Sequence, residues 1–309
     1  MKKTIYYLLC LALIVSFAFS FNGCGKEQDQ GVKVYTSFYT LYDFASKIAQ
    51  DKAKVYNIMP SGADAHSWTP SAKDLVNLNK ADIFIYNGLG MEHWTDQVLK
   101  ILDKKVLTVR VSEGVEAEKH DHDHEHNEAA DPHIWLSPLN AKIILKNIKD
   151  ALVKADSQNA DFYEQNYEYC AALCDELYNN FIDLKDFEKR DVVVTKNAFY
   201  YLCEAFDLKQ TALTRSHSSE PSLGKVAEIV EYIIDNDVKV IFSDAFSVDT
   251  AQAIKKEAAN EGKSIETAVL NPLEALSEKD LKEGKDYFKI MEDNLNAVKN
   301  ALKKQNGLS

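Results

Sequence analysis

The chain has 309 residues, 46% of them hydrophobic and 27% charged, which is a globular composition that leaves little room for disorder outside short segments. Its net charge of −12 disfavours contact with a phosphate backbone, which argues against a nucleic-acid role. The five cysteines follow no zinc-finger spacing, and Cys170 and Cys174 fall on a helical stripe that reads as core rather than as a disulfide.

In chain order, Lys2 and Lys3 precede an uncharged stretch from Thr4 to Phe21, "LLCLALIVSFAF" within it, which reads as a secretory signal over residues 1–23. Gly23 directly before Cys24 resembles a bacterial lipobox, which implies that Cys24 becomes a lipid-carrying N-terminus on a polar tether, residues 24–31. The alternative is an ordinary cleaved signal in which Cys24 is a spectator.

Strands and helices then alternate, predicting an α/β fold. "VKVYTSF", "AKVYNIM" and "DIFIYNG" read as strands, with "LYDFASKIAQ" and "SAKDLVNLNKA" as helices, giving a first lobe over residues 32–136. Ser137 and Pro138 suit an N-cap and first helical position. Beyond that first helix Tyr163, Tyr167, Cys170, Cys174, Leu177 and Phe181 recur at helical spacing and mark a second, long amphipathic helix, so residues 137–187 read as a helical connector between two lobes, built from this pair. A second α/β series, "DVVVT", "QTALT", "VKVIFSD" and "IETAVLN" with intervening helices, fills residues 188–309.

Open α/β sheets bind ligands outside the carboxyl ends of their strands. That rule selects His66 in "MPSGADAHSWTP", and in the second lobe Lys196, Arg215 to His217, Asp244 and Asn271. His133, just ahead of the connector, could join them across a cleft between the lobes, although spacing alone does not bring any of these residues together. Read singly, His66 and His133 are each open to a surface or core role.

"VYNIMPSGADAHSWTPSAKDLVNLNKADIFIYNGLGMEHW", the acidic histidine-rich loop, "DPHIWLSP", "NAFYYL", "EPS" and "YFKIMEDNLNAVKNAL" together resemble the metal-specific solute-binding lipoproteins of bacterial ABC importers, the zinc and manganese receptors. The resemblance covers essentially the whole mature chain, with its segments in the family's order. It implies two α/β lobes with parallel-type sheets, a long rigid helical connector and a metal site in the interlobe cleft. It also implies a monomer, anchored by lipid outside the cytoplasmic membrane, that delivers its ion to an ABC permease. The family's first two ligands map onto His66 and His133, and imidazole donors favour zinc over manganese.

The second lobe departs from this pattern. Lys196 stands where the family has its third ligand, and Asn271 aligns with its usual aspartate. A lysine ammonium has no lone pair to offer and repels a dication. Three readings follow: Asp244 and His217 complete the shell while Lys196 swings aside to a carboxylate such as Glu220; the ion is held weakly by His66, His133 and water; or the pocket takes an anion on Lys196 and Arg215.

The loop over residues 116–130 alternates imidazole and carboxylate at His120, His122, His124 and His126, a pattern suited to gathering divalent ions loosely. Two other functions compete with the receptor. A metallohydrolase would use His66, His133 and Asp244 with water at an open position, but no motif offers a general base. A surface interaction protein fits relatives described as adhesins.

Overall fold

The computed structural model describes residues 31–116, 130–214 and 221–308, so the signal segment, Cys24, His120, His122, His124, His126, Arg215, His217 and Glu220 lie outside the described residues. The first lobe runs β1 (Val32–Thr36), α1 (Tyr39–Ala49), β2 (Ala53–Asn57), α2 (Ala72–Leu78), β3 (Ile83–Tyr86), α3 (Thr95–Ile101) and β4 (Leu107–Arg110). Its four strands are all parallel, in the order β2-β1-β3-β4. The inner strand β3 is nearly buried throughout and reads "IFIY", whereas the edge strand β4 alternates half-buried and exposed residues. That contrast follows from parallel sheets covered on both faces, whose inner strands are continuously apolar. β4 was not among the strands expected from the sequence.

The connector consists of two helices, as the sequence pattern indicates. α4 (Pro138–Ala155) starts as expected, with the Ser137 hydroxyl accepting from the Asn140 amide and Pro138 in the first turn. It packs on the first sheet, and Asn147 Nδ2 donates to the carbonyls of Val111 (3.0 Å) and Glu113 (2.9 Å). The chain then reverses at Asp156, whose carboxylate accepts from Asn159 Nδ2 (2.6 Å) and the Tyr163 hydroxyl (2.8 Å). α5 (Ala160–Asn180) returns antiparallel, tied to α4 by Lys149–Glu164 at 2.9 Å and Lys142–Asp175 at 2.7 Å. The polar run "ADSQN" interrupts the apolar period and separates the two helices of this hairpin. Tyr163, Cys170, Cys174 and Leu177 face the core as the stripe predicted, and Cys170, Cys174 and Cys203 are buried free thiols.

The second lobe repeats the layout with β5 (Asp191–Lys196), α6 (Tyr200–Ala205), β6 (Lys209–Thr214), α7 (Leu223–Asp235), β7 (Val240–Ser243), α8 (Val248–Asn260) and β8 (Glu266–Val269). Its sheet is also parallel, in the order β6-β5-β7-β8. A short α9 (Glu278–Lys282) leads to α10 (Tyr287–Gln305).

One apolar cluster runs from Val34 and Phe44 through Ile144, Leu145 and Cys174 to Val194, Tyr287 and Leu302, so the two lobes share a core. Polar contacts fix the same seam: the Tyr287 hydroxyl donates to the Trp135 carbonyl at 2.7 Å, and Lys47 pairs with Asp286 at 2.7 Å. The two sheets are thereby held to a common frame. Among the described residues no helix is long and apolar enough to cross a membrane.

Candidate metal centre

Two histidines are presented by the same local device. In "DAH" the Asp64 carboxylate accepts from the His66 amide at 2.9 Å, and in "DPH" the Asp131 carboxylate accepts from the His133 amide at 2.8 Å. Aspartate binding its own backbone two residues on is the Asx turn, so Asp-x-His aims an imidazole out of a tight loop. Asp131 does more, because the same oxygen lies 2.7 Å from His133 Nδ1. This fixes the ring and turns Nε2 away from the carboxylate, as carboxylate–imidazole pairs behind metal ligands do. The loop after β3 supports the arrangement, with Asn87 Nδ2 donating to the Pro132 carbonyl at 2.9 Å.

His66 Nε2 and His133 Nε2 are 3.2 Å apart, and Glu274 Oε1 lies 3.1 Å from His133 Nε2 and 3.4 Å from His66 Nε2. Among the described residues these three form the group of histidine, cysteine and acidic side chains able to hold a metal. A tetrahedral zinc shell with bonds of about 2.0–2.2 Å has edges of about 3.3–3.6 Å. The three donor atoms therefore already outline one face of such a tetrahedron. His133 is fully buried, Glu274 is 8% exposed, and His66 is the member nearest solvent.

The electrostatics match this packing. Burial on its own would lower the His133 pKa, but the Asp131 and Glu274 carboxylates override it and push the imidazole up to about 9. Burial likewise would raise Glu274, yet His133 and His66 hold its carboxyl well below the usual range. A cation entering the triad takes the place of the proton on His133, because an imidazole ligand must be neutral.

The other expected residues go elsewhere. Asp244 directly follows β7 and closes its own turn, accepting from the Phe246 amide (3.1 Å) and the Ser247 hydroxyl, and it pairs with Lys196 at 3.3 Å. That is the capping geometry for Asp244, and Lys196 finds its carboxylate partner there, while Glu220 lies outside the described residues. Lys196 also lies over the Phe246 ring at 5.7 Å. The Asn271 side chain accepts from the Leu273 amide at 2.8 Å, so it shapes the loop instead of reaching the histidines. Sequence reasoning missed Glu274, three residues further on. Its signal was present: between Thr267 and Ser277 it is the sole charged residue, in the loop that follows a strand. Trp135 is fully buried and lies against the His133 ring at 5.3 Å, as a wall residue would.

The family described as zinc-uptake complex component A, periplasmic (ZnuA) matches residues 34–301. The chain is 36% identical over 298 residues to the high-affinity zinc uptake system protein ZnuA of Bacillus subtilis, covering 92% of this chain and 91% of that protein. It is 33% identical over 314 residues to the zinc-binding lipoprotein AdcA of Streptococcus pneumoniae, covering 97% of this chain but spanning only 61% of AdcA. The crystal structure of the Zn(II)-bound ZnuA-like domain of S. pneumoniae AdcA superposes with a TM-score of 0.76 at 31% identity, over 88% of this chain and 99% of that domain.

Proposed function

The chain belongs to the zinc-uptake complex component A family, and on that premise we propose that it is the extracytoplasmic receptor of an ABC importer, taking zinc on His66, His133 and Glu274 and delivering it to a membrane permease. The observation that carries this reading is the spacing of the three donor atoms, 3.1–3.4 Å apart, on rings and a carboxylate fixed by the fold. Two imidazoles with one carboxylate suit zinc better than manganese, which prefers oxygen ligands. Cys24 anchors the mature chain by lipid to the outer face of the membrane, and His120, His122, His124 and His126 gather zinc loosely for the receptor. The receptor acts as a monomer and without catalysis.

Titration of the soluble chain against a zinc-chelating dye, with manganese as comparison, tests the proposal. One tight zinc site is expected in the full chain and unchanged when residues 116–130 are deleted, with weaker sites lost on deletion. A chain whose tight site disappears with the loop, or which prefers manganese, contradicts it.

Asp131 gives a further expectation. Asp131→Asn keeps the loop turn but removes the charge behind His133 Nδ1, and zinc affinity should fall by about 10–100-fold. The same titration checks it, and an unchanged affinity would mean that Asp131 serves the fold alone.

A further inference from the structure

The loop that brings Glu274 into the triad comes from the second lobe, yet three successive carbonyls of it are held from the first-lobe side. Trp135 Nε1 donates to the Pro272 carbonyl at 2.8 Å, the Thr40 hydroxyl to Leu273 at 2.6 Å, and the Tyr39 amide to Glu274 at 3.2 Å. Tyr39 opens α1, so its N–H has no acceptor within the helix and is available for this bond.

Between these anchors Leu273 is fully buried and has φ +62°, a left-handed conformation that leucine rarely adopts. Such strain persists only where the surroundings over-determine it. Here they do. The Leu273 amide donates to Asn271 Oδ1 at 2.8 Å, and the Asn271 backbone is held at both N–H and C=O by the Asn294 side chain at 2.8 Å. Residues 271–274 therefore have one available path, and it ends with Glu274 Oε1 against both imidazoles.

We infer that Thr40 is a positioning residue for zinc, its buried hydroxyl locking Leu273 in the left-handed turn that aims the Glu274 carboxylate at His66 and His133. This rests on the receptor reading above. The Thr40 hydroxyl bonds a loop carbonyl rather than a proposed ligand, so it acts through the loop backbone. Thr40→Val keeps the shape and removes the donor, and Thr40→Ser keeps the donor.

The experiment compares zinc affinity and the visible cobalt(II) spectrum of wild type, Thr40→Val and Thr40→Ser, each also in a Glu274→Ala background. Thr40→Val is expected to weaken zinc by about 10–100-fold, as loss of an outer partner of a ligand does, and to alter the cobalt band; Thr40→Ser should restore both. In the Glu274→Ala background Thr40→Val should add nothing. Equal losses in the two backgrounds, or no loss in either, would overturn the inference while leaving the receptor reading intact. A wild-type chain that binds no zinc would overturn both.

Discussion

Glu274→Ala should weaken zinc binding by roughly two to three orders of magnitude while the protein remains folded. Structural zinc sites are worth about 10–16 kcal/mol in total, so an even share for one of four ligands is about 2.5–4 kcal/mol. Glu274 is also the one anionic member of the triad, and it is nearly buried, where its charge is least screened by water. Glu274→Gln keeps an oxygen donor of the same shape without the charge, so it should fall between wild type and Glu274→Ala. The fold should survive because the contacts that hold the loop are made by the backbone carbonyls of residues 272–274, not by the carboxylate. Competition with a chelating dye reads the affinity and thermal melting reads the fold. Binding within threefold of wild type in Glu274→Ala would place the zinc elsewhere.

The difference between what local sequence showed and what it hid is physical. Inner strands such as "DIFIYNG" announce themselves because burial on both faces demands an unbroken apolar run. The edge strand β4 is four residues long and half exposed, and carries no such signal. His66 and His133 stand out because Asp-x-His is a local turn whose geometry is written within three residues. Glu274 is different: its place depends on Thr40 and Trp135, residues 233 and 137 positions from the carbonyls they hold. A tertiary contact of that kind leaves no periodicity to read. Asn271 drew attention through the resemblance, and the structure gives it the adjoining task of bracing the turn that precedes the glutamate.

Lys196→His should tighten zinc binding by about 10–100-fold. The lysine ends β5, one strand from β7, and its ammonium is taken up by Asp244 at 3.3 Å and by the Phe246 ring. It contributes positive charge and no lone pair to the side of the cleft where the resemblance expects a third ligand. Histidine there supplies a neutral donor and converts a three-donor face towards a closed tetrahedron, the arrangement of sites that hold zinc rather than react at it. Part of the gain is offset, because the exchange also leaves Asp244 without its cation in a largely buried position. Lys196→Met separates the two contributions, since it removes the charge and adds no donor. A gain in Lys196→Met comparable to that in Lys196→His would assign the effect to lifted repulsion, and a gain confined to histidine would assign it to the added ligand. If neither variant binds zinc more tightly than wild type, Lys196 stands outside the reach of the ion, and its pairing with Asp244 is a structural feature of the second sheet.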